Sequence, residues 1–182
     1  MIHPEAQVVL DFWFLESTKP YWFSQSDEFD KRVQDEFGMT LAQASLGELE
    51  EWRSTIQGRL AEIIVLDQFS RTIYRNTAQA FAQDGMALVL AQAAIMLPAF
   101  ANLTEEERHF LLMPYMHSES LRIHEQAVVL FGRYVNAYAL EFELKHKGII
   151  ERFGRYPHRN AILGRESTPE ELAFLQEPNS SF

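Results

Sequence analysis

The segment SQSDEFDKRVQDEF, residues 24–37, narrows the choice of fold more than any other stretch. Serines open it, acids fill what would be a first helical turn, and Phe29, Val33 and Phe37 then recur every four residues. Serine is a good helix N-cap, acids favour the positive end of the helix dipole, and a spacing of four lines one helical face. The same grammar runs through the chain, and nowhere do apolar and polar residues alternate as in a half-buried strand. The expectation is an all-α protein of about eight helices and no sheet.

The remaining segments follow from caps and breakers. Residues 4–15 begin with Pro4 at a first helical position and carry Val8, Val9, Phe12 and Trp13 at helical spacing. Gly38 marks a break in the helix begun at 24, whose pattern otherwise reaches Ser45, and a short helix is expected over 46–53. Residues 59–71 are mostly apolar and read as a buried helix. Asp84 caps a helix that reaches Leu97 and stops at Pro98. Thr104 and Glu107 have capping-box spacing, Pro114 is expected to interrupt that helix, and Ser118 or Ser120 starts the next. A helix over 137–153 ends at Gly154 and Pro157, and Thr168-Pro169-Glu170-Glu171 opens a last short one.

With 182 residues the chain fits a single domain, residues 1–182, able to bury a core without staples. It holds 14 Phe, 6 Tyr and 3 Trp, which points to an interior built from large rings. There is no cysteine, which excludes disulfides and thiolate chemistry and suits a cytoplasmic location. The N-terminus lacks a signal-peptide pattern and no apolar run approaches the ~18 residues of a membrane span, so no membrane partner is expected. A net charge of -10 argues against a nucleic-acid partner.

That charge is uneven. Residues 1–57 hold 11 acids against 4 bases, whereas residues 145–165 hold 6 bases against Glu151 alone. Within the basic segment lies RFGRYPHRN, residues 152–160, with Gly154 and Pro157 breaking the backbone among the charges. Arginines held on such a turn suit a carboxylate or phosphate, whether that partner is internal or a ligand. Two other clusters carry chemistry-bearing residues. In LDQFSRTIYR, Asp67 and Arg71 are four apart, with Arg75 one turn further. In PYMHSESLRIH, His117 precedes Ser118 and Glu119, and His124 follows seven residues later. No recognised metal-ligand spacing, phosphate loop or nucleophile elbow is present, so neither a metal nor a cofactor is expected.

At these clusters the sequence resembles a bacterial family, domain of unknown function 924. The pattern is carried by Trp22-Phe23, Leu66–Arg75, Phe81–Asp84, Pro114–Glu119, His146 with Ile150–Asn160, Leu163–Thr168 and Ser180–Phe182. Ser70 stands where the family often has proline, which would loosen a turn after Phe69. The resemblance implies helices in stacked antiparallel pairs, similar to a right-handed tetratricopeptide-like array, with the tail 176–182 docked on the body. It implies no activity.

The expectation for function is one concave polar site formed by Asp67, Arg71, Arg75, His117, Glu119, His146, Arg155, His158, Arg159 and Asn160. Its arginines would hold a small molecule bearing a phosphate or carboxylate, and His117, His158 or Glu119 would move a proton if there is chemistry. The competing expectation is a helical-repeat module that holds a peptide, with the Arg/His cluster as an internal clamp. The oligomeric state is not legible.

Overall fold

A computed structural model describes residues 1–182. The chain is helical throughout, with no strand: α1 (Pro4–Trp13), α2 (Asp27–Ser45), α3 (Ile56–Ile64), α4 (Ser70–Ile73), α5 (Asp84–Ile95), α6 (Glu105–Met116), α7 (Leu121–Tyr134), α8 (Ala137–Phe153) and α9 (Pro169–Phe174). The caps act as their residue types demand. Ser26 accepts from the Phe29 amide, and Thr104–Glu107 and Thr168–Glu171 close complete capping boxes. Gly154 ends α8 in the left-handed conformation at φ 70°, where a side chain would be strained.

Several local expectations are corrected. Gly38 does not break α2, and the only atoms near its missing Cβ belong to the flexible Gln34 side chain. The segment expected as a helix over 46–53 is a 3-10 turn, Glu50–Ser54. Pro114 lies inside α6 without interrupting it, because only one ladder bond is forgone and the helix closes two residues later. Asp84 is the first residue of α5 and caps nothing; Gln83 holds the cap position.

The centre of the molecule is one helical rod. Every residue from Leu60 to Ser70 is buried, the polar Glu62, Asp67, Gln68 and Ser70 included. α3 packs against α1, α5 and α6. It passes without a turn through a π-helical segment, Val65–Phe69, into α4, so the turn expected before Ser70 does not exist. A π segment winds one residue more into its turn and so resets which residues face inward. Here it turns Asp67 and Gln68 inward beside Phe69. The main core counts 34 residues, with Phe12, Trp13, Phe37, Phe69 and Phe110 in edge and tilted ring contacts. A satellite cluster of Ile149, Ile150, Tyr156 and Phe174 ties the C-terminal segment to α8. The Phe182 ring stacks on His146 at 3.9 Å.

The rod leaves no room at Gly58. A Cβ there would stand 1.8 Å from the Trp52 carbonyl oxygen, which belongs to the backbone of the 3-10 turn. Gly58→Ala is therefore expected to destabilise the protein by about 3 kcal/mol. A lowered urea midpoint would report this, and an unchanged midpoint would show that the turn moves aside freely.

No helix is long and apolar enough to cross a membrane.

Candidate functional site: a buried Asp–His pair and an under-paired arginine

Asp67 is wholly buried, and three side chains compensate it. His117 Nδ1 donates to its Oδ1 at 2.7 Å, Arg71 Nη1 reaches the same oxygen at 3.3 Å, and Gln68 Nε2 donates to Oδ2 at 2.7 Å. Burial alone would raise the carboxyl. The charges and hydrogen bonds around it outweigh that and lower it to about 2, so Asp67 is ionised at neutral pH. His117 is shifted the other way. Burial, then Arg71, push its imidazole below the ordinary value of 6.5, and Asp67 opposes them only in part. A neutral His117 keeps its proton on Nδ1, facing the carboxylate, and carries a lone pair on Nε2.

Arg71 spans two carboxylates. Besides Asp67 it forks onto Asp84, with Nη1–Oδ1 at 2.7 Å and Nη2–Oδ2 at 2.9 Å. Arg159 reaches the same Asp84 only loosely, at 3.5 Å, and its firm bond is from Nη2 to the His117 carbonyl at 3.0 Å. Its guanidinium lies 4.4 Å from the Phe81 ring centre and 4.6 Å from that of Tyr156. Nε of Arg159 is buried and has no partner. Burial and the neighbouring Arg71 both work against its charge.

These groups border a cavity of about 330 Å³ whose wall includes Phe81, Asp84, Pro114, His117, Glu119 and Arg159. His117 lines this cavity and its side chain is 12% exposed, and the ring's only hydrogen bond within the protein is the one from Nδ1 to Asp67.

The residues expected to converge on one site are dispersed over several places. His117, Glu119 and Arg159 line the cavity, and Asp67 and Arg71 stand behind it, bonded to His117 and Asp84. Arg75 does not belong to it, because its fork closes on Asp30 of α2 at 2.6 and 2.8 Å. Arg155 and Asn160 flank the 3-10 turn Pro157–Arg159. There both bind Glu171, Arg155 at 2.7 and 2.8 Å and Asn160 at 3.2 Å. Arg155 and Asn160 are thus corrected from the expected common site: the carboxylate that α9 presents is nearer in sequence and better placed. His146 Nδ1 donates to the Phe142 carbonyl, 2.7 Å away, and burial holds the imidazole down to about 3. His158 is lowered to about 4, first by burial and then by Arg159, and its Nδ1 has no partner.

His124 does not share a face with His117. It is fully buried, with Nε2 against the Ser118 carbonyl at 2.7 Å and Nδ1 against Glu143 at 2.6 Å. A carbonyl only accepts, so Nε2 carries a proton and one further proton is shared between Nδ1 and Glu143. Burial raises the Glu143 carboxyl, which favours keeping that proton within the pair.

The family model described as "Bacterial protein of unknown function (DUF924)" matches residues 9–179. The chain belongs to this family. Among solved structures it is similar to a protein of unknown function from Agrobacterium tumefaciens, at 34% identity and a TM-score of 0.89, over 94% of this chain and 97% of that one. No curated protein matches it.

In this DUF924 chain the residues that sequence reasoning missed are Asp84, Phe81, Tyr156 and Arg165. Phe81 and Asp84 were visible as the Phe-Ala-x-Asp motif, but a helix start explains an aspartate so readily that its reach to Arg71 stayed hidden. Arg165 forks onto Glu119 at 2.8 and 2.9 Å, and the Tyr156 amide donates to Glu119 at 2.7 Å, so Glu119 anchors the C-terminal loop as well as bordering the cavity.

Proposed function

We propose that the cavity recognises a small molecule through an anionic group, phosphate or carboxylate, held by Arg159. One observation carries this reading. Arg53, Arg71, Arg75, Arg155 and Arg165 each fork onto a single carboxylate. Arg159 is the most deeply buried arginine and has no such partner. A buried cation whose nearest carboxylate stands 3.5 Å away and is already forked by another arginine is poorly compensated, and an anion entering the cavity would offset that cost. A cytoplasmic setting, for which the absence of cysteine speaks, offers many such metabolites.

A thermal-shift series with phosphate, sulfate and acetate tests the reading. A ligand at about 100 times its dissociation constant adds roughly 2.7 kcal/mol, or about 5–10 °C for a chain of this size. The rise is expected in the wild type and not in Arg159→Gln, with helical content equal in both. If no anion moves the wild-type midpoint, Arg159 is a clamp between Phe81, Tyr156 and the His117 carbonyl.

The peptide reading rests on a different place. A cleft of about 340 Å³ where α5 ends is walled by Ile95, Met96, Leu97, Phe100 and Tyr134, and Met96 is 79% exposed. A tetratricopeptide-like groove would present such a surface. It is the weaker reading, because none of the polar motif residues face it.

A further inference from the structure

The rest of the cavity wall restricts which acid it suits, given that Arg159 holds the anionic group. Arg159 is the cation at the wall; of the other polar side chains there, His117, Asp84 and Glu119 present acceptors, and the Ser118 hydroxyl can donate or accept. His117 Nδ1 is committed to Asp67, so a neutral imidazole offers only its Nε2 lone pair to the cavity. Asp84 is forked by Arg71 and Glu119 by Arg165. Carboxylates accept and do not donate, and each oxygen of these two has lone pairs to spare.

The charges lead to the same conclusion. Asp84 and Glu119 on the wall and Asp67 behind it are matched by Arg159 on the wall and Arg71 and Arg165 behind it, so the two layers together are neutral before a ligand enters. A bare dianion would leave two uncompensated negative charges beside two carboxylates. A ligand with one anionic group and its own O–H or N–H donor matches both halves of the wall.

We propose that the occupant is a small hydroxy- or amino-carboxylic acid. Its carboxylate lies on Arg159 and its hydroxyl or ammonium group donates to His117 Nε2. Asp67 acts through His117 as a positioning residue, since it holds the proton on Nδ1 and so leaves Nε2 free to accept.

Three acids of one five-carbon skeleton separate this from simple anion binding: pentanoate, 2-hydroxypentanoate and 2-aminopentanoate, measured by titration calorimetry at pH 7.5. The hydroxy and amino acids are expected to bind about ten-fold more tightly than pentanoate, the value of one added hydrogen bond inside a site. His117→Phe is expected to erase that advantage while pentanoate binding persists. Should the variant not fold, the wild-type comparison decides alone. Equal affinity for all three acids would overturn the proposal and leave the anion reading standing. So would no binding of any of them where phosphate still raises the midpoint. If phosphate too has no effect, the anion reading itself fails.

Discussion

Asp67→Ala is expected to cost about 3–5 kcal/mol, among the largest single losses available in this chain. The substitution removes the one acceptor shared by His117 Nδ1, Gln68 Nε2 and Arg71. Arg71 keeps its fork to Asp84, but Gln68 and His117 are left with buried donors at a position with no exposure to water. Asp67→Asn keeps the volume and one carbonyl acceptor and should recover part of the loss. Equilibrium urea unfolding measures both. A loss below about 1 kcal/mol for the alanine variant would show that the donors find other partners, and that the π segment does not depend on the carboxylate.

Mild acid should unfold the protein well before its carboxylates titrate. Burial is the first cause that holds His109 down to about 4, His146 to about 3 and His158 to about 4, against an ordinary 6.5. In the unfolded chain these three imidazoles take up protons as pH falls through 6.5, while in the folded chain they do not. The unfolded state therefore binds more protons, and stability falls as pH falls, from about 6.5 toward 4. The loss by pH 4 is on the order of 10 kcal/mol for the three together. Above pH 7 these groups contribute no slope. Asp67 and Glu171, both lowered to about 2, act in a separate, lower window: their stabilisation is intact above their ordinary values of 3.8 and 4.5 and fades below them. Melting temperatures taken from pH 7.5 to 3.5 should show the first decline starting near 6.5. A flat profile down to pH 5 would mean that the buried imidazoles protonate without strain.

Much of the fold was legible because helix ends are written locally. Thr104 with Glu107, Thr168 with Glu171, and Gly154 after Phe153 each state a boundary in a few residues, and the structure closes those caps. Pro114 and Gly38 misled for the same local reason: they are breakers by type, and packing overrode them. The site was legible only as an inventory. That Asp67, Arg71, His117 and Arg159 bear on one place could be suspected from their chemistry. Which arginine would lack a fork could not, because it depends on partners distant in sequence. Arg75 closes on Asp30 and Arg165 on Glu119, separated by 45 and 46 residues. Once those carboxylates are taken, Arg159 is the buried arginine that remains without a fork. The π segment left no mark either, since its five residues, Val-Leu-Asp-Gln-Phe, read as ordinary helix.

The central claim is that Arg159 is held for a ligand. Nitrogen–proton spectra of the arginine side chains test it most directly, with phosphate or 2-hydroxypentanoate titrated into the wild type. The account predicts that the Arg159 guanidinium signals shift saturably, while those of Arg75 and Arg155, forked onto Asp30 and Glu171, stay in place. Arg159 signals that remain still at saturating concentrations of both ligands would contradict it.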